Sequence, residues 1–264
     1  MRKLSVLILS VFLVFFGCSD NGDDNNDNPP TGVYFPVIIE EFSHVNCGPC
    51  ATVSDAVHSI LEDYGTDSLL PVFIEYHAEV EYGNDPFYEA APNVHGDRRA
   101  YYYDFLGIEN IPQLLIDGVP LSGSDRIDPN RIKTLTEEAR QNAKYAVITA
   151  EIATQGDSIG FDCTITADSA FAGKLYCFLA LKNIHFESAP GSNGITDFHT
   201  IAINIEPDMD GVEISLETDE DWQLQKYFAI PPEIEDGQTD GYSFVVIIQN
   251  DSREILGANR FDVE

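Results

Sequence analysis

The tetrapeptide Cys47-Gly48-Pro49-Cys50 stands where a strand-like run, Val37 to Ser43, meets a helical pattern that begins near Ala51. No other feature constrains the chain as strongly. A helix N-terminus carries about half a positive charge and unpaired N–H groups, which favour a thiolate on the first cysteine. The second cysteine lies one turn further in, within reach of the first, and two thiols so placed can exchange electrons with disulfides. From Ala51 to Tyr64 the apolar residues Val53, Val57, Ile60, Leu61 and Tyr64 recur at helical spacing and leave Asp55, His58, Glu62 and Asp63 for solvent. Further along, Ile111-Pro112 runs into Gln113 to Ile116 and an Asp117-Gly118 turn. Proline cannot donate to a sheet ladder, so Pro112 belongs at the first position of that strand.

The CGPC after a hydrophobic strand, the helix behind it, and the Ile-Pro leading into a strand and an Asp-Gly turn together resemble thioredoxin. The resemblance implies that Pro112 is cis and faces the CGPC, and that the Ile111 backbone pairs an extended substrate segment. It also implies that Glu41, six residues before Cys47, is the buried acid that takes the proton from Cys50 when Cys50 attacks a mixed disulfide. Three departures bear on redox potential and substrate. Asn46 stands where a tryptophan is usual, no lysine occupies Val72 to Glu75, and an insertion of helical character, about 80-102, precedes the Ile-Pro.

Residues 1-17 open with Arg2-Lys3, continue through an apolar stretch from Leu4 to Phe16 and end in Gly17 before Cys18. This reads as a secretory signal, and the small residue before a cysteine resembles a bacterial lipobox, with Cys18 as the lipidated residue; an uncleaved anchor is the alternative. Residues 18-32 are acidic at the start, rich in Asn and Asp, and read as a flexible tether. Acidic residues behind such a cysteine resemble the export signal of Bacteroidetes surface lipoproteins. The expected location is therefore the cell envelope, as an outer-membrane lipoprotein held to the membrane by its lipid. A formal charge of -31, with 45 acidic against 14 basic residues, makes nucleic acid and anionic head groups poor partners.

Length suits two domains. Residues 33-145 carry the mixed pattern, closing with a helix capped by Asp128, opened by Pro129 and lined by Ile132, Leu135 and Ala139. Residues 146-264 read as strands separated by turn signals such as Gln155-Gly156-Asp157 and Asp210-Gly211, an antiparallel β-sandwich of immunoglobulin-like outline. The fold class expected is thus an α/β thioredoxin-like domain followed by an all-β immunoglobulin-like sandwich. That arrangement resembles the twenty-eight-kilodalton outer-membrane protein family of Bacteroidetes. Cys163 and Cys177 fall on consecutive strands, and a turn near Ala170 would set them roughly opposite. They are read either as a structural disulfide in an oxidising compartment or as two buried free thiols.

Other candidate sites are weaker. Zinc needs two ligands beyond the CxxC, and Cys163 and Cys177 lie on strands of the other domain, so neither a metal nor another cofactor is expected beyond the dithiol itself. His44 reads as an exposed loop histidine, with tuning of the thiolate or a substrate contact as the alternative, and His77, Glu79 and Glu81 as solvated polar residues, with a bound cation as the alternative. Tyr101 to Tyr103 and Phe105 read as aromatic packing of the inserted helix, with the lining of a substrate groove beside the dithiol as the alternative. The function expected is thiol-disulfide exchange of reductase or isomerase type on protein thiols and disulfides. The alternative is a non-catalytic surface or periplasmic binding lipoprotein in which the first domain is scaffold.

Overall fold

The run from Ile38 to Ser43 forms strand β1, buried along its whole length. It is an interior strand of a sheet covered on both faces, which is why apolar residues fill three of its six positions and why its two glutamates need internal partners. A computed structural model describes residues 36–65, 70–79, 81, 83–107, 110–142, 144–230 and 234–263. The expected signal, the tether and Cys18 lie outside the described residues.

After β1 come α1 (Gly48–Tyr64), β2 (Val72–His77), the helical insertion as α2 (Pro86–Ala90) and α3 (Pro92–Leu106), β3 (Gln113–Ile116), β4 (Val119–Pro120) and α4 (Pro129–Ala139). Asp128 caps α4, its carboxylate accepting from the Asn130 and Arg131 N–H groups, and Pro129 fills the first turn. The Asp117-Gly118 turn between β3 and β4 has positive φ at both residues, the geometry of a tight hairpin. A Cβ on Gly118 would lie 2.3 Å from the Arg253 carbonyl oxygen, so only glycine fits.

The remaining chain is all strand: β5 (Ala146–Gln155), β6 (Ser158–Ala167), β7 (Phe171–Phe186), β8 (Asp197–Glu206), β9 (Val212–Leu216), β10 (Asp221–Ala229), β11 (Gly237–Gln249) and β12 (Ile255–Asp262). Strands β10, β6 and β5 form a small sheet. The other nine form one large sheet in the order β12-β11-β7-β8-β2-β1-β3-β4, with β9 beside β7.

The boundary expected at residue 145 therefore does not divide the sheet. Strand β8 lies parallel to β2, with Ile201 opposite Glu75, and Val33–Glu264 is one compact unit. Strand β2 is buried end to end, so an open edge there would leave its N–H and C=O groups unpaired inside the protein. On one face of the large sheet α1 and α4 pack over β1 to β3, and the small sheet packs over β7, β8 and β11. On the other face α3 packs across both halves, Val94 and Tyr102 sharing a cluster with Ile74, Phe178 and Val245.

Candidate active site

Cys47 and Cys50 are joined by a disulfide, their Cα atoms 5.3 Å apart. The helix starts earlier than its apolar pattern suggests: Cys47 is the N-cap of α1, Gly48 and Pro49 are in its first turn, and no acidic residue occupies that turn. In a chain of charge -31 this spacing of the carboxylates leaves the helix dipole unopposed at the sulfur. The Cys47 N–H donates to the His44 carbonyl at 3.0 Å, and the Cys50 N–H to the Cys47 carbonyl at 3.1 Å. Cys47 keeps 6% exposure and Cys50 none, so an incoming sulfur meets Cys47 first. The Ile111-Pro112 bond is cis, and the Arg126 guanidinium donates to the Pro112 carbonyl at 2.5 Å. Gln113 pairs with Phe42, which brings Ile111 and Pro112 to the end of β1 that leads into Cys47.

Beneath the dithiol lies a polar seam. Cys50, Ser54 and His58 are spaced four apart on α1 and so form one stripe. Ser54 Oγ donates to Glu41 Oε1 at 2.6 Å, which sets the Glu41 carboxylate one helical turn from Cys50. Its other oxygen is buried without a partner. Burial and the neighbouring Glu75 carboxylate push the Glu41 pKa well above the usual carboxylate range, against the opposing pull of Ser54 and His77.

His77 is fully buried between two acids: Nδ1 lies 2.7 Å from Asp85 Oδ2, and Nε2 lies 3.0 Å from Glu75 Oε1. Burial opposes charge on the ring, but the two carboxylates prevail and raise its pKa to about 10. Asp85 is held well below the usual range, despite its burial, by His77 and by the N–H groups of Val45 and Tyr88. His77 is thus an internal imidazolium rather than the solvated residue its sequence context suggests; Glu79 accepts from the Tyr88 hydroxyl at 3.1 Å. His58 is half-buried against His199, ring centroids 4.1 Å apart, and burial lowers its pKa to about 4. His44 is likewise buried, its Nδ1 accepting from the Asn46 N–H at 2.9 Å.

The connection between β7 and β8 was invisible as part of the site in the sequence. It lies directly against the residues before Cys47. The Asn193 N–H donates to the Val45 carbonyl at 3.0 Å, the Ser192 N–H to Asn46 Oδ1 at 2.9 Å, and Asn193 Nδ2 to the His44 carbonyl at 3.3 Å. Asn46 Nδ2 in turn donates to the Asn84 carbonyl at 3.0 Å. Asn46 therefore ties the insertion to the C-terminal half. A Cβ on Gly191 would lie 2.2 Å from the Val45 carbonyl oxygen, so this close approach requires glycine. The sequence signal available was the Pro190-Gly191-Ser192-Asn193-Gly194 turn, which carries no hint of its distant partner.

Cys163 and Cys177 are both buried free thiols. The expected adjacency of their strands is corrected: β6 pairs with β5 and β10, whereas β7 pairs with β8, β9 and β11, because the chain crosses from one sheet to the other after Ala167. They contribute to the core between the sheets. Among the described residues no cluster of His, Cys, Asp and Glu is arranged to hold a metal ion, and no helix is long and apolar enough to cross a membrane.

No model of a known protein family matches the chain, and no curated protein does. Solved structures do. HBP35 of Porphyromonas gingivalis superposes with a TM-score of 0.68 at 18% identity, over 87% of this chain and 75% of that one. Protein AGR_C_4864 from Agrobacterium tumefaciens superposes with a TM-score of 0.55 at 12% identity, over 89% of this chain and 99% of that one. At these identities the likeness is one of fold.

Proposed function

We propose that this chain is a thiol-disulfide oxidoreductase of reductase or isomerase type, built on a thioredoxin-like half and an immunoglobulin-like half, and tethered to a bacterial envelope through Cys18. The observation that carries the reading is the Cys47–Cys50 bridge at the acid-free N-terminus of α1, with Cys47 keeping the residual exposure and Cys50 buried one helical turn from the Ser54 that donates to Glu41. In the dithiol state, the Cys47 thiolate attacks a substrate disulfide and forms a mixed disulfide, releasing one substrate thiolate. Cys50 then loses its proton to Glu41 and attacks Cys47. The second substrate thiolate leaves, and the protein ends as the disulfide seen here. Each turnover consumes an external dithiol that reduces the bridge again. Pro112 and Ile111, at the same end of the sheet, would line the incoming chain.

The half-closed setting of Cys47, with Ser192 and Asn193 against the preceding residues, favours a second reading in which the site binds rather than turns over. Reduction of insulin by the purified protein with dithiothreitol separates the two. The wild type accelerates precipitation of the insulin chains and Cys47→Ser does so no faster than dithiothreitol alone; equal rates for the two proteins would leave the binding reading.

A further inference from the structure

Glu75 is fully buried, its Oε1 lies 3.0 Å from His77 Nε2 while its Oε2 has no hydrogen-bond partner, and the dithiol chemistry above makes no use of it. It lies opposite Glu41 in the parallel register of β1 and β2 and so shares its face of the sheet. Neighbouring strands run about 5 Å apart, which places the two carboxyl groups side by side in a region without solvent.

Every element packed there contributes. Strand β1 adds Ser43, α1 adds Ser54 and His58, β2 adds His77, and β8 adds His199, with Asp85 behind His77. Asp197, Glu62 and Arg260 act on the two outer histidines from the rim. Burial keeps His58 and His199 below their ordinary pKa and so uncharged at neutral pH. His77, held by Glu75 and Asp85, is the cation of the cluster. One imidazolium stands beside three buried carboxylates, and burial together with the Glu75 charge makes Glu41 the one that favours a proton.

We propose that Glu75 is a positioning residue of the dithiol site: in the disulfide state Glu41 carries the proton taken from Cys50, and Glu75, held at Oε1 by His77, keeps that proton on Glu41. This rests on the oxidoreductase reading and deepens it. In the dithiol state Glu41 is ionised; during resolution the Cys50 Sγ–H proton passes to it, the sulfur electron pair forms the bond to Cys47 Sγ, and the substrate thiolate departs with the electrons of the bond it shared with Cys47. The negative charge of Glu75 beside Glu41 makes Glu41 a stronger base than a lone carboxylate and therefore better matched to a thiol. When the external dithiol reduces the Cys47–Cys50 bond, Glu41 returns the proton to the Cys50 thiolate and the site is ready for the next cycle.

The test is a carbon NMR titration of the side-chain carboxyls in the oxidised full chain, which needs no enzymatic activity. In the wild type Glu41 titrates above the usual carboxylate range. Glu75→Gln moves it down the pH scale, Glu75→Asp restores it towards the wild-type position, and His77→Gln moves it up. An unchanged Glu41 titration in folded Glu75→Gln overturns the proposal, whatever the activity. In insulin reduction, Glu75→Gln shifts the acid limb of the pH profile downward and raises the ratio of rates at pH 6 and pH 8 by about threefold. A uniform loss at every pH, with the profile unmoved, overturns the proposal as well. If the wild type reduces no insulin, the oxidoreductase reading falls, and the carboxyl titration still decides whether the pair exists.

Discussion

Glu40 and Glu41 are consecutive residues of one strand, both fully buried, and the strand sends them to opposite faces of the sheet. Glu40 is saturated. Arg98 donates to its Oε1 from Nε at 2.8 Å and Nη2 at 2.6 Å, the Tyr102 hydroxyl donates to its Oε2 at 2.5 Å, and the guanidinium sits among the rings of Tyr101, Tyr102, Tyr176 and Phe178. Glu41 has one hydroxyl donor and one orphaned oxygen, next to another carboxylate. The contrast teaches that burial alone does not mark a functional acid. A carboxylate whose acceptors are all engaged holds structure together, and one left short of donors is free to take a proton.

The same substitution at the two positions should break or secure this distinction. Glu40→Gln leaves Arg98 charged and underpaired in the core, and urea denaturation should register a loss of about 3–5 kcal/mol. Glu41→Gln removes a carboxyl whose ionised form burial disfavours, and should stabilise the fold by on the order of 1 kcal/mol at neutral pH. Its insulin reduction should fall roughly a hundredfold. Losses of similar size from both variants would show that the two acids serve alike.

The His77 pair sharpens the comparison through pH. Its folded pKa of about 10 lies above the ordinary 6.5, so its contribution to stability is complete below pH 6.5 and lost as pH rises through about 10. Denaturation midpoints of the wild type should correspond to a loss on the order of 3 kcal/mol between pH 7 and pH 10, and His77→Gln should flatten that slope. A wild type as steep as the variant would place the charge elsewhere.

The smallest effect expected is at the contact between the halves. Gly191→Ala must push the β7–β8 connection off Val45, costing about 1–2 kcal/mol. Because Asn193 holds the same carbonyl that receives the Cys47 N–H, the variant should also raise KM for insulin more than it lowers kcat. A change in stability with unaltered KM would make the contact purely structural.

Much of this was legible in local pattern. The α1 face, the Asp128 cap, and the all-strand character of the chain after residue 145 follow from spacing and turn residues, because each depends on neighbours within a few positions. His77, His44 and His58 were not legible as internal residues. Each looks solvated beside acidic or polar neighbours in the chain, and each is buried by an element far away in sequence: α2 and its Asp85 cap for His77 and His44, β8 for His58. The Glu75 pairing was hidden for the same reason, since a strand register is a property of two strands rather than one.

By itself the amino-acid order determined that two cysteines would open a helix behind a buried strand, since apolar spacing and a proline in the first turn act over a few neighbouring positions. Only the tertiary structure decided that the sheet would run unbroken through both halves, that a distant glycine turn would close over the residues before Cys47, and which of two adjacent glutamates would be left wanting a donor. The physical reason is that the unpaired edge of β2 and the empty acceptor on Glu41 are questions of who arrives from elsewhere in the chain. Local sequence cannot answer them.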